Sequence, residues 1–338
     1  MRRYLIPVLF ALVGACASAP STPASPAGEN LLSFIVIGDT PYTAADVAML
    51  KKAIPAIKEE APDFVIHVGD TKSGGKPCDG SENADLGAMM IALAPSVFFY
   101  TPGDNEWTDC DRFNDPATGR KMSELGRLAV LKQEFFSAPP PKDAPLGAEE
   151  QSGFPFNRTW TDKSVRLATV FVSGTDNGRS AVEGDPLGDA AAEADRREKA
   201  DVQWIDEVAA KASDEKARAL IFAMQADINQ VAPEYAGVPC VGASAGDIEC
   251  DAYLSIRNAL RIAAESFDGP VLIIHGDTTP FTLDRHLLGG GADNLWRLNA
   301  AGDALGANPV SDVTKVTVTD DVNRPFRAVG LVTGASPR

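Results

Sequence analysis

Several apolar runs along the chain end in the same way. Phe34-Ile35-Val36-Ile37 runs into Gly38-Asp39, and Phe64 to Val68 runs into Gly69-Asp70. Val97 to Tyr100 leads to Gly103-Asp104, and Val271 to His275 leads to Gly276-Asp277. A fifth run, Ala219 to Met224, ends in Gln225-Ala226-Asp227. Continuous apolar runs of this length, bounded by glycine, predict strands buried on both faces. Helical spacing fills the gaps. Val47, Leu50, Ile54 and Ile57 predict a helix capped by Thr43 and kinked at Pro55. Ser123 caps a second helix through Leu125, Leu128, Leu131 and Phe135. A long polar helix is expected over 189–212 and another over 252–266. The segment Thr314 to Thr319 alternates like a strand solvated on one face.

Strand–helix alternation of this kind gives an α/β layered fold. No internal repeat and no linker divides the sequence after its first thirty residues, so 31–338 reads as a single domain. In open α/β sheets, ligands bind where the strands end. Aspartates gathered at one such edge repel each other unless a cation neutralises them. A lone Gly-Asp is more simply a turn or a helix cap. The weight lies in several of them following buried strands.

The N-terminus is read apart from the fold. Arg2 and Arg3 precede an apolar run from Tyr4 to Val13, which is too short to span a bilayer and right for an export signal. It closes on Val13-Gly14-Ala15-Cys16, which resembles a bacterial lipobox with Cys16 as the lipidated residue. The alternative is ordinary signal cleavage after Ala17-Ser18-Ala19. Residues 1–16 then form the signal segment, and 17–30, small and rich in Pro and Ser, a disordered tether. The expected location is a bacterial membrane surface facing the periplasm.

Cysteine usage agrees with export. Besides Cys16 there are Cys78, Cys110, Cys240 and Cys250, an even number that suggests two disulfides. Cys240 and Cys250 flank a short Gly/Ala/Ser loop and are expected to pair, leaving Cys78 for Cys110. A thiolate metal site is the alternative, though no Cys-x-x-Cys spacing is present. The formal net charge of −16 disfavours a nucleic-acid partner. No serine-hydrolase elbow, phosphate-cradling glycine loop or zinc-protease helix motif occurs in the sequence.

In order, the motifs Gly-Asp-Thr-Pro-Tyr, Gly-Asp-x-Lys, Pro-Gly-Asp-Asn-Glu-Trp-Thr-Asp-Cys, Gln-Ala-Asp and His-Gly-Asp-Thr span roughly residues 33–285. Their order and content resemble the calcineurin-like metallophosphoesterases, in an exported bacterial branch. The resemblance implies a sandwich of two mixed β-sheets flanked by helices, with a two-metal site at the strand ends. It implies Asp39 as the first ligand and Asp70 as the bridging one. Asp104 stands where such proteins have asparagine, and Asn105 where they have a histidine that assists the leaving group. Gln225, Asp277 and Thr279 stand at further histidine positions, and Pro41 at another.

The chain has three histidines, His67, His275 and His286, none at a family ligand position. His67 and His275 read as core residues, although His275 lies near enough to Asp277 to substitute for a ligand. Zinc and iron favour nitrogen donors, whereas magnesium, manganese and calcium accept all-oxygen shells. The expected metal set is therefore Asp39, Asp70, Asp104, Gln225, Asp277 and Thr279, holding one or two Mn, Mg or Ca ions. Lys72 is expected to touch phosphate as a point charge, with Asn105 donating to the transition state. Glu106 and Asp109 read as braces of their loop, and Arg196 and Arg197 as a charged helix surface. The expected activity is metal-dependent hydrolysis of a phosphorylated small molecule or lipid. The rival is a catalytically impaired relative that serves as a metal-binding or structural lipoprotein.

Overall fold

The computed structural model describes residues 28–141, 143–240, 245–306 and 309–338. Cys16, the signal segment and all but the last three residues of the tether lie outside the described residues.

The chain begins with β1 (Asn30–Ile37), α1 (Ala44–Glu60), β2 (Phe64–His67), α2 (Ser81–Leu93) and β3 (Val97–Tyr100). Then come α3 (Glu124–Phe135), β4 (Glu149–Gln151), β5 (Phe154–Asp162), β6 (Val165–Thr169) and a short turn α4 (Gly174–Gly178). They are followed by α5 (Leu187–Asp214), β7 (Ala219–Ala223), α6 (Leu254–Ser266) and β8 (Val271–His275). The chain closes with β9 (Thr282–Asp284), β10 (Leu295–Asn299), β11 (Thr314–Thr319) and β12 (Phe326–Gly330).

These strands make two mixed sheets, one ordered β12-β11-β1-β2-β3 and the other β4-β5-β6-β7-β8-β10-β9. In the first, β1, β2 and β3 run parallel while β11 joins β1 antiparallel. In the second, β6, β7, β8 and β10 are parallel. The apolar faces meet between the sheets: Phe34, Val36, Phe64, Ile66 and Phe99 from one side, Trp160, Leu167, Ile221, Leu272 and Ile274 from the other. Trp160 stacks on Phe99 with ring centroids 3.5 Å apart. On the outer faces, α1 and α2 cover Ile35, Ile37 and Val65, and α5 and α6 cover Leu220, Phe222 and Ile273. Both sheets are thus covered on both sides, which is why their strands read as unbroken apolar runs.

Local sequence accounts for the helix ends. Thr43 and Asp46 form a reciprocal capping box at the start of α1. The helix runs on through Pro55, where a kink was expected. Ala53 and Ile57, buried on either side of the proline, hold it across the missing hydrogen bond. Ser123 caps α3 by accepting from the Gly126 amide at 2.8 Å. The long helix α5 extends two residues further at each end than its periodicity predicts. Strand β6 pairs with β7 in register as far as Thr169, and the Val170 amide still donates to the Ala223 carbonyl at 2.9 Å. Strand β11 lies between β1 and β12, so Val316 and Val318 are buried and only Lys315 and Thr317 are partly open. Disulfides join Cys78 to Cys110 and Cys240 to Cys250.

Candidate metal centre

The ends of β1, β2, β3 and β8 bring Asp39, Asp70, Asp104 and Asp277 to one place. Asp277 donates its backbone N–H to Asp39 Oδ2 at 2.5 Å. A Cβ on Gly276 would stand 2.0 Å from Asp39 Oδ1. A Cβ on Gly174 would stand 2.6 Å from Asp104 Oδ2 and 2.9 Å from Asp277 Oδ1. Both glycines are therefore needed for backbone to pass beside the carboxylates. Asp70 Oδ1 accepts from the Asn105 amide at 3.1 Å, and Oδ2 accepts from Tyr42 Oη at 2.6 Å and Asn105 Nδ2 at 2.8 Å.

The loops are braced from within. Glu106 accepts from the backbone N–H of Asp70 at 3.0 Å and of Thr71 at 2.9 Å, and from Tyr100 Oη at 3.2 Å. It thereby ties the end of β2 to the end of β3. Asp109 pairs with Arg112 at 2.7 Å. The Cys78–Cys110 bridge fastens the same loop.

Electrostatically the cluster is unbalanced. Burial raises the Asp39 carboxyl well above the usual range, and Asp277 and Asp104 push it further. Burial also raises Asp70, with Asp104 and Asp39 adding to it, and raises Asp277, with Asp104 adding to it. Among the described residues, no three His, Cys, Asp or Glu side chains form a ready-made metal cage. Most of the carboxylate oxygens are engaged by amides and hydroxyls instead. The donor set nonetheless fits a hard cation. Asp39 Oδ1 is buried without a hydrogen-bond partner. The converging donors are oxygens, and a divalent ion would reverse the mutual repulsion.

The remaining candidates lie as follows. Gln225 spends both ends of its amide here: Nε2 donates to Asp104 Oδ1 at 3.2 Å and Oε1 accepts from the Gly174 N–H at 2.5 Å. Asn105 Nδ2 also donates to Tyr42 Oη at 2.7 Å. Lys72 is buried, with Nζ donating to the carbonyls of Lys76 at 3.0 Å and Ser73 at 3.3 Å. Its ammonium thus closes the turn that follows it. Thr279 and Asp39 line one small cavity together with Asp303. His67 is fully buried, and burial lowers it to about 3. His275 is fully buried too, and Asp227 and Arg297 are the charges nearest in effect to its ring. His286 is exposed.

Two contributors make contacts that the sequence does not assign. In α4, Thr175, Asp176 and Asn177 all have left-handed φ, between 52° and 56°. This turn presents Thr175 Oγ1 to Asp104 Oδ2 at 2.6 Å. The second is Arg197, expected on a solvated helix surface and found fully buried. Its guanidinium donates to the Asn177 carbonyl at 2.7 Å and to Asn177 Oδ1, and it lies over the rings of Trp107 and Phe171. Side-chain charge alone made Arg197 look exposed. Neighbouring Arg196 does stay half-open, pairing with Glu193.

The sequence of residues 32–211 matches the family model for the calcineurin-like phosphoesterases. Among solved structures, the fold is similar to a dimetal phosphatase from Danio rerio at 12% identity, covering 91% of this chain and 100% of that one, with a TM-score of 0.50. PhoD aligns at 13% identity over 93% of this chain and 69% of its own, with a TM-score of 0.49. No curated protein matches by sequence. The family match spans more than half of the chain and includes the strand ends that supply Asp39, Asp70 and Asp104. The chain belongs to the calcineurin-like phosphoesterase family.

Proposed function

We propose that the protein is a metal-dependent hydrolase of phosphate esters with a carboxylate-rich, histidine-poor centre. The observation that carries this reading is the convergence of Asp39, Asp70, Asp104 and Asp277, with Asp39 Oδ1 left unpartnered, in a chain of this family. Asp39, Asp70, Asp104 and Asp277 would hold one or two Mn, Mg or Ca ions, with Gln225 and Thr279 at the margin. When bound, such an ion would supply neutralisation of phosphoryl oxygens and acidification of an attacking water. The protein's own groups do the positioning. Tyr42 and Asn105 orient Asp70 and Thr175 orients Asp104; Asn105 Nδ2, whose two hydrogens point at Asp70 Oδ2 and Tyr42 Oη, would have to release one of these contacts to donate to phosphoryl charge. Asn105 cannot give up a proton at neutral pH, so esters with good leaving groups are favoured. Lys72 acts through the shape of its loop.

We also propose that the protein lies outside the cytoplasm, a reading supported by Val13-Gly14-Ala15-Cys16 and by the two disulfides. Lipidation at Cys16 would anchor it to a bacterial membrane with residues 31–338 as a single periplasmic domain. Metabolic labelling with a radioactive fatty acid tests this, since Cys16→Ala should abolish the label.

Metal analysis of the purified protein, with turnover of aryl phosphate mono- and diesters in Mn, Mg or Ca, tests the activity. Metal-dependent turnover that disappears in Asp70→Asn is the expected result. A second reading, an impaired relative that binds metal without turnover, is favoured by one observation: none of the three histidines reaches the carboxylate cluster. Stoichiometric metal with no turnover on any ester would select it.

A further inference from the structure

Beside the carboxylate cluster lies a cavity of about 490 Å³. Thr175, Asp176, Gln230, Val231, Tyr235 and Tyr253 contribute to its walls. Two of these walls are tied to the cluster. Thr175 is the residue whose hydroxyl binds Asp104. Tyr253 Oη donates to the Ser173 carbonyl at 3.1 Å and accepts from the Asn177 N–H at 3.2 Å, clamping the turn that carries Thr175. The cavity therefore adjoins the Asp104 side of the cluster through the turn that carries Thr175.

Its chemistry is one-sided. Asp176 brings a carboxylate to the wall. The stretch 219–256, which supplies most of the lining, contains no Lys, Arg or His and five acidic residues. Arg257, just beyond it, is buried in an ion pair with Asp251 and also donates to the Ile228 carbonyl at 2.6 Å. An anionic occupant such as a second phosphate would meet only repulsion. A neutral occupant could at most donate a hydrogen bond to Asp176 and would gain no charge pairing. A cation gains from the carboxylate and from the aromatic rings of Tyr235 and Tyr253, which line the cavity. The Cys240–Cys250 disulfide fixes Cys250, which lines the cavity with Ile248, so the cavity is built rather than incidental.

We propose that this cavity is a subsite for an organic ammonium group carried on the alcohol portion of the phosphate ester. The proposal rests on the phosphoesterase reading for where the phosphoryl group sits, but binding of the ammonium group alone does not require turnover.

Calorimetric titration of the full chain with choline, and with its uncharged isostere 3,3-dimethylbutan-1-ol at matched ionic strength, tests it. Choline should bind at least about tenfold more tightly. Asp176→Asn should reduce choline to the level of the isostere, and Tyr235→Leu should weaken it about fivefold. Equal affinities, or no saturable choline binding, overturn the subsite. Phosphocholine and glycerol 2-phosphate are then compared as substrates with manganese. Choline binding without hydrolysis of any ester leaves the subsite standing and removes the phosphoesterase reading. Hydrolysis of glycerol 2-phosphate without choline binding does the reverse.

Discussion

Arg197 donates to the carbonyl of Asn177 at 2.7 Å from the middle of helix α5. That contact holds three consecutive non-glycine residues in the left-handed region, at a cost of roughly 1–2 kcal/mol each. Arg197→Met keeps the length of the side chain and removes the donors. Stability should fall by about 3 kcal/mol, and manganese affinity should fall with it because Thr175 loses its hold on Asp104. Urea unfolding and metal titration read the two effects separately. An unchanged metal affinity would show that the turn keeps its shape unaided.

Tyr42 sits one shell behind the proposed ligand Asp70. Tyr42→Phe removes the donor to Asp70 Oδ2 and the acceptor for Asn105. Metal affinity should drop by about tenfold with little change in the melting temperature. Calorimetric titration with manganese measures it, and a change below about twofold would exclude the role.

Asp201 gives a pH signature away from the site. It is fully buried on α5, with its carboxyl raised to about 7 by burial against the opposing pull of Arg197. The folded state thus binds a proton that the unfolded state releases near pH 4. Its contribution to stability is complete below that point and is lost as pH rises through about 7. Asp201→Asn should match the parent at pH 4 and exceed it by a few kcal/mol, about 4 at most, at pH 8. Parallel denaturation curves at both pH values with no divergence would contradict this.

The seam between the sheets should be the costliest place to cut. Trp160→Ala removes the ring stacked on Phe99 and packed edge-on to Phe64. The expected loss is about 3–5 kcal/mol in chemical denaturation. A loss under about 1 kcal/mol would mean that the layers are held elsewhere.

The apolar runs made the central strands and their terminal aspartates legible because burial on both faces leaves no polar positions to confuse the pattern. The motif order gave the two-sheet layout. The strands β4 and β9, three residues each, carried too few residues for any period to show. The stretch Ser173 to Asn177 reads as either a rim loop or a plain turn, and the contact of Thr175 with Asp104 depends on a left-handed turn that Thr, Asp and Asn do not advertise. Arg197 was misread for a simple reason. Periodicity places it on the buried stripe with Ala194, Asp201 and Trp204, yet charge argues the opposite, and only the carbonyls and rings waiting for it resolve the conflict.

Asp39, Asp70 and Asp104 hang from one sheet, while Gln225 and Asp277 hang from the other. A cation shared among them, as proposed, would be a rivet between two layers rather than a passenger in one. Chelation should do more than silence chemistry: it should let the layers part more easily, lowering the unfolding temperature by mass action in step with the metal lost. The width of the hydrophobic filling, set by Trp160 against Phe99, then acts as the gauge that fixes how far apart the two sets of oxygens stand.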